Sequence, residues 1–555
     1  MSNFAQIDKI IQANLDKFRK PNALTVRPGY KITHGWITQQ PAIVVTVQKK
    51  IPNLSPADAV PANVGGIPTD VREATTIAKL RHTAPERHAA LTAMMRPEYR
   101  QPEFPTERDA QTGKLLTQTP APAAVVAHTA KPKVAYQPPA NTPLTPVEGT
   151  MSITCHAGPD AAWLKLSEFL KGIKNQLTVG MYDCTSAHVL NGLLAALKGK
   201  PQLSLVLDHP APNRSRDQTD EQTQAALAKA LGKREQFAWA ADGNDPKVSK
   251  AIFPNAYHIK VAVKDHTSFW LSSGNWNNSN QPDIDPFAPN ANMTAINATA
   301  SKSDRDWHVV VEHDGLAKTF EAFLLNDRTQ AAKLQTKAIS AAMAALHPLL
   351  EALAESPEAP IQAKSAVRKY FQPKVISGQL KVQPLLTPDS GAGNYAKNIL
   401  KLIQSAQKSL DIQTQYIHPP KAGADAAFQA LITAVKDRVD NKVNVRIILS
   451  EYEATGGWLE KLQEAGLGPS IVRIQNGVHN KGFVVDSKVV ALGSQNWSGD
   501  GVLRNRDASL IIYHEGAAQY FEQIFNYDWD NLAQQHLKSE VSTGPNPDPK
   551  EVAAD

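Results

Sequence analysis

The feature that most constrains this chain is that a large part of it occurs twice. Residues 257–279 read YHIKVAVKDHTSFWLSSGNWNNS, and residues 478–498 read VHNKGFVVDSKVVALGSQNWS. Aligned, His258 matches His479, Lys260 matches Lys481 and Asp265 matches Asp486. After each aspartate come Ser272-Ser273-Gly274-Asn275 and Gly493-Ser494-Gln495-Asn496, each followed by Trp. SDRDWHVVVEHDG (303–315) then pairs with RNRDASLIIYHEG (504–516), placing Asp306 opposite Asp507. A repeat of this length has to be recognised before any fold is assigned, because each copy is a structural unit in its own right.

The sequence around the copies repeats as well. DAAWLKLSEFLKGIKN (160–175) spaces Trp163, Leu166, Phe169, Leu170 and Ile173 as one helical stripe, and the apolar run QLTVGMYD follows as a buried strand. GNYAKNILKLIQSAQKS (393–409) and LDIQTQYI repeat that order, with Tyr416 near the end of its strand as Tyr182 is near the end of the first. Strands separated by helical patterns predict an α/β fold. The expectation is two duplicated lobes at 150–330 and 373–538. Each is a mixed β-sheet flanked by helices, and the two are related by a pseudo-twofold. Ahead of them, Phe4, Ile7, Ile10, Ile11, Leu15 and Phe18 form one stripe, and short β-rich runs follow, predicting a small α/β module at 1–77. The remainder is a Pro/Ala-rich linker (78–149), a helical connector (331–372) and a disordered tail (539–555).

The two-copy pattern HxKxxxxD…GSxN resembles the phospholipase D superfamily, over roughly 150–330 and 373–535. Ser272 stands where that family has glycine, a departure expected to affect a turn more than chemistry. Residues i and i+2 of a strand share a face, so each copy presents an imidazole and an ammonium side by side. A neutral imidazole can attack phosphorus, while Lys260 and Lys481, with the amides of Asn275 and Asn496, hold the non-bridging oxygens. Two such strands about a pseudo-twofold put a histidine on each side of one phosphate, one as nucleophile and the other as proton donor to the leaving oxygen. A phosphohistidine intermediate is then hydrolysed. The fixed cations leave no role that requires a metal or a cofactor. By resemblance His258 is the nucleophile.

Asp265 and Asp486 lie seven residues after their histidines, an odd number, so a regular strand turns them away. They read as structural, together with Ser273 and Ser494. Asp306 and Asp507 are the better candidates to fix each imidazole's tautomer. His266, His308, His313 and His514 read as ordinary, partly buried histidines, and Trp276 and Trp497 as core.

The charge allows more than one phosphodiester. The chain has 555 residues, 20% of them charged, and a formal net charge of +6. This permits nucleic acid without demanding it. The expected function is that of a metal-independent phosphodiesterase hydrolysing, or transferring, phospholipid head groups. The alternative is a nuclease using the same site, and the rival of another class is a catalytically silent scaffold. A cardiolipin-synthase-type transferase would be expected to bring membrane anchors, and no segment reads as a transmembrane helix or a secretory signal. Tyrosyl-DNA phosphodiesterases lack the motif aspartate. Cys155 and Cys184 read as buried reduced thiols, a single disulfide being the other option, and they suit a cytoplasmic setting. Both motifs lie in one chain, so a monomer suffices. The N-terminal module is a candidate docking site for a partner.

Overall fold

The structure is a computed structural model. It describes residues 2–33, 36–94, 101–116, 136–208, 217–241, 251–253, 256–334, 369–388, 394–421, 423–454 and 457–534. The tail at 539–555, and most of the expected connector at 331–372, lie outside the described residues.

The first module is a five-stranded sheet. β1 (Ala23–Thr33) and β2 (Trp36–Val47) pair antiparallel. β3 (Asn63–Val64) pairs with β4 (Ile67–Glu73), which runs parallel to β2. β5 (Arg108–Asp109) adds to the free edge of β1. The helix Ser2–Ala13 buries Ile7 and Ile11 against Val26, Ile43 and Val45, which is why its apolar stripe exists. β5 and the helices Thr76–Thr83 and Pro85–Met94 fall in the stretch read as linker. Their signals were present: the Thr75 side chain caps the first helix at the Ala78 amide, and Pro85 opens the second. They were hard to read because the first helix buries nothing and so has no apolar stripe.

The rest of the chain builds a fourteen-stranded sheet among the described residues. The first half supplies β6 (Val147–Gly158), β7 (Gln176–Met181), β8 (Gln202–Leu207), β9 (Glu235–Trp239), β10 (Val261–Lys264), β11 (Ser268–Ser272) and β12 (Asp306–Glu312). The second supplies β13 (Lys374–Thr387), β14 (Ser409–Thr414), β15 (Asn444–Leu449), β16 (Val472–Ile474), β17 (Lys481–Val485), β18 (Val489–Gly493) and β19 (Asp507–Ile512). From the centre outward the order is β6-β12-β11-β10-β7-β8-β9 in one half and β13-β19-β18-β17-β14-β15-β16 in the other. Position for position these are the same strands. β6 and β13 join the halves as an antiparallel pair from Lys374↔Cys155 to Val382↔Val147.

Helices flank the sheet. The long helices Asp314–Ala332 and Glu515–Tyr527 pack Phe320, Phe323, Phe521 and Phe525 into one core shared by both halves. Each half keeps a second core of its own on the other face, around Leu166 and Val179 in the first and around Ile399 and Ile412 in the second. Cys155 and Cys184 are buried and free, so the disulfide is not formed. No helix among the described residues is long and apolar enough to cross a membrane.

The first module is clamped to the second half. Glu460, on the helix Trp458–Glu464, lies 2.6 Å from Arg27 and pairs with Arg72 as well. Burial alone would raise its carboxyl, but the two guanidinium groups pull it down to about 2. Arg27 also lies 3.6 Å over the Phe104 ring.

Candidate active site

The histidine-bearing segments sit just ahead of β10 and β17, at the middle of the molecule. Each is stitched to the opposite half. The Arg506 amide donates to Ala256 O (2.9 Å), just before His258. The His479 amide donates to Arg305 O (3.1 Å), and the Arg305 amide donates to Gly477 O (2.6 Å). Acids pin the same segments from within their own half: Tyr257 N donates to Asp208 Oδ1 (2.6 Å) and Gly477 N to Glu451 Oε2 (2.9 Å).

The stitching crosses the histidine–aspartate pairs as well. His258 Nδ1 lies 2.8 Å from Asp507 Oδ1, and His479 Nδ1 lies 3.1 Å from Asp306 Oδ1. Each imidazole is therefore held by the other half's aspartate. Ser273 Oγ donates to Asp306 Oδ1 and Ser494 Oγ to Asp507 Oδ1, both at 2.6 Å. With Nδ1 engaged on both rings, Nε2 is the nitrogen left for chemistry. Both histidines are mostly buried, with about a tenth of each side chain open to solvent (10% and 13%).

The lysines lie beneath. Lys260 Nζ donates to His258 O at 2.6 Å, and Lys481 Nζ makes the matching bond to His479 O. Burial pushes the Lys260 ammonium well below its ordinary range and Lys481 repels it further, while Asp507, Asp183 and Asp306 pull the other way. The two motif copies thus form one electrostatic cluster. The side-chain oxygens of Asn275 and Asn496 are buried without a hydrogen-bond partner. Burial, reinforced by Lys481, lowers His479 against the pull of Asp306, which favours the neutral ring. Burial acts to raise Asp306, but His479 draws it well below the usual carboxylate range. Asp507 differs: burial raises it to about 7, despite Lys260.

Asp265 and Asp486 are turned away from the cluster. Each sits in a hairpin turn with positive φ (51° in both), followed by His266 (61°) and Ser487 (57°). The left-handed conformation disfavours non-glycine residues. Each carboxylate offsets this by accepting three backbone amides, from Lys174, Asn175 and Gln176 in one half and from Gln407, Lys408 and Ser409 in the other. Those bonds hold the loop that leads into β7 or β14 to the hairpin.

Two readings need correction. The strand register pairs Val261 with Gly180 and Gly482 with Gln413, so Tyr182 corresponds to Gln415, and Tyr416 to Asp183. The Tyr182 ring is 4.9 Å from the His258 ring and 5.2 Å from Lys260 Nζ, whereas Gln415 Oε1 lies 3.4 Å from Lys481 Nζ. His308 is fully buried rather than partly so. It stacks on His156 with ring centroids 4.9 Å apart, and Ser272 Oγ lies 2.6 Å from its Nδ1. Ser272 also takes the Gly274 amide at 2.7 Å, so it shapes its turn as expected.

Sequence reasoning missed the arginines before the two aspartates. Both are fully buried. Arg305 grips Asp528 with two bonds (2.8 and 3.0 Å) and Asp160 with a third (3.0 Å). Arg506 grips Asp327 with two bonds (2.9 and 2.6 Å). Asp327, in the first long helix, and Asp528, directly after the second, are thirteen residues from the start of their helices, so these ion pairs cross between the halves too. The repeated Arg-Asp dipeptide was the available signal.

Comparison with known proteins places this architecture. Residues 399–529 match the family model described as "Cardiolipin synthase, PLD-like domain", a span that contains His479, Lys481, Asn496 and Asp507. Cardiolipin synthase 2 of Staphylococcus epidermidis is 29% identical over 164 residues, 29% of this chain and 33% of that protein. A cardiolipin synthase of Listeria monocytogenes is 28% identical over 144 residues, 25% of this chain and 29% of that protein. The chain thus spans about a third of the length of these curated relatives. Among solved structures, the phosphatidylserine synthase of Haemophilus influenzae Rd KW20 aligns over 72% of this chain and 91% of its own, with 16% identity and a TM-score of 0.46. Nuc, a phospholipase D family member from Salmonella typhimurium, aligns over 28% of this chain and 95% of its own, with 19% identity and a TM-score of 0.23. Residues 399–529 thus carry a phospholipase D-like domain, and the motif of that domain recurs in the first half.

Proposed function

We propose that the protein cleaves phospholipid phosphodiesters through a phosphohistidine and passes the phosphatidyl group to an alcohol or to water. His258 Nε2 attacks phosphorus, so a P–N bond forms as the bond to the leaving oxygen breaks, and His479 gives that oxygen a proton. The incoming hydroxyl then surrenders its proton to His479 and attacks phosphorus, releasing His258. Lys260, Lys481, Asn275 and Asn496 hold the non-bridging oxygens, and Asp507 and Asp306 fix the two rings.

The observation that carries this reading is the crossed pair of histidine–aspartate contacts, made through Nδ1 on both rings, at one buried cationic cluster. The unequal aspartates support the assignment of roles. Asp306, drawn well below the usual carboxylate range, supplies a counter-charge for the proton His479 takes up from the incoming hydroxyl, and Asp507, raised by burial, supplies less of one to His258. The similarity of the second half to cardiolipin synthases favours phospholipid over nucleic acid and gives weight to transfer over simple hydrolysis. The transferase set aside from sequence for want of an anchor is therefore part of the proposal. Intact His, Lys and Asn in both copies weigh against a silent scaffold.

The test is a competition in one vessel: purified protein, phospholipid vesicles, plasmid DNA, glycerol and a chelator, with the His258→Asn protein as control. New phosphatidyl products with intact DNA are expected, and they should vanish in the control. Nicked DNA with intact lipid would make the protein a nuclease. With radiolabelled lipid, His479→Asn should accumulate a labelled protein and His258→Asn should not; the reverse would exchange their roles.

A further inference from the structure

A third histidine stands beside the site in the second half only. His418 lies four residues beyond β14, in a segment tied to both parts of the motif. The Gln415 amide donates to Asn480 O (3.0 Å), between His479 and Lys481, and the His418 amide donates to Trp497 O (2.8 Å), next to Asn496. Its imidazole is clamped on both faces. The Trp458 ring lies 3.9 Å away at 9° and the Tyr416 ring 4.3 Å away at 23°. Its Nε2 sits 2.8 Å from Oε1 of the fully buried Glu453. Its Nδ1 makes no hydrogen bond among the described residues, and 7% of the side chain remains exposed.

The first half shows what the fold alone requires here. Thr185 makes the equivalent bond, its amide donating to Trp276 O at 3.0 Å, and no ring occupies the position. Packing is therefore satisfied by a small side chain. If His418 served packing alone, burying an imidazole against a carboxylate would be a costly way to fill the space, since a phenyl ring would stack as well without desolvating a charge. An imidazole clamped between two rings, with a buried carboxylate beside Nε2 and no hydrogen bond at Nδ1 among the described residues, is arranged to meet a hydrogen-bonding ligand.

We propose that His418 lines a subsite for the hydroxyl of the incoming alcohol, on the side of the phosphate served by His479. This rests on the reading above. In the second half-reaction the alcohol oxygen forms a bond to phosphorus, the P–N bond to His258 breaks, and the hydroxyl proton goes to His479. His418 does not take that proton. Its Nδ1 bonds the alcohol and orients it, so alcohol is favoured over water. Among the described residues the first half, with Thr185 at this position, has no such group.

The experiment uses the full chain with short-chain phosphatidylcholine and excess glycerol, reading phosphatidylglycerol against phosphatidic acid. His418→Phe keeps the stack and removes the nitrogen. It is expected to lower the ratio of transfer to hydrolysis by about tenfold, the loss of roughly one hydrogen bond. His418→Gln should recover part of the ratio. An unchanged ratio in His418→Phe, or a parallel fall of both products, would overturn the proposal. If the wild type leaves phosphatidylcholine intact, the same ratio read on bis(p-nitrophenyl) phosphate with glycerol decides the role of His418 separately from the lipid reading.

Discussion

Behind Asp306 the first lobe stacks His308 on His156; at the matching places behind Asp507 the second lobe has Ser509 and Leu385. Over Lys260 lies the Tyr182 ring, and over Lys481 the amide of Gln415. Beside Asn275 is Thr185, and beside Asn496 is His418. The side chains that would touch a phosphate are the same in both lobes, and so are the aspartates, serines and arginines behind them, while several of their other neighbours differ. Duplication preserves what an in-line displacement needs on each side. The surroundings then separate the two sides, and the two aspartates come to rest on opposite sides of their ordinary range.

The largest expected effect tests whether the lobes are truly interlocked. Asp507→Asn should impair the enzyme as severely as an orienting aspartate does elsewhere, by about 10²–10⁴ in rate. Added to His258→Asn it should cost little more, yet added to His479→Asn it should still be felt. Asp306→Asn should show the opposite pairing. Kinetic double-mutant cycles on residual activity would read this; coupling within each lobe instead of across would dissolve the crossed arrangement.

A smaller effect concerns the feature that only one lobe has, the clamped N-terminal module. Glu460→Gln leaves the buried Arg27 without its counter-charge, while Arg72 keeps Asp70, and should cost about 3 kcal/mol, read by chemical denaturation. Glu460 is depressed to about 2 from an ordinary 4.5, so its contribution is present above about 4.5 and is lost as pH falls toward 2. Wild type and variant should therefore converge in stability across that window. A constant gap would assign the effect to packing.

The smallest effect asks how far one lobe can be rewritten as the other. Ser272→Gly removes the hydroxyl at His308 and the Gly274 amide and should cost about 1 kcal/mol. Gly493→Ala should cost more, about 1–3 kcal/mol, because a Cβ there would come within 1.8 Å of Ser509 Oγ. Thermal unfolding of the two variants checks the order; equal shifts would mean that the turns are interchangeable.

Most of the site was legible because strand parity and repetition are local properties. His258 and Lys260, and the turned-away Asp265, follow from counting along one strand. The crossing was not legible: two equivalent copies predict that each imidazole meets an aspartate and leave open which one. The arginines were hidden for the same reason, since their partners lie in the other lobe's long helix. Tyr182 and Tyr416 misled because matching residue types were taken for matching positions, and only the register with β10 and β17 separates them. The Arg27–Glu460 clamp joins residues 433 positions apart, with no pattern in either segment to announce it.

The crossed pairs also impose an order in time. His258 leaves the ribosome 249 residues before Asp507, the group that orients it. A nascent chain that has finished its first lobe holds one histidine, one lysine and an aspartate with no ring to hold. It remains chemically idle until nearly all the rest has been made and folded. For an enzyme whose proposed substrate is phospholipid, the geometry of two hydrogen bonds acts as a safety interlock: truncated or half-folded copies lack the assembled site without any inhibitor to restrain them.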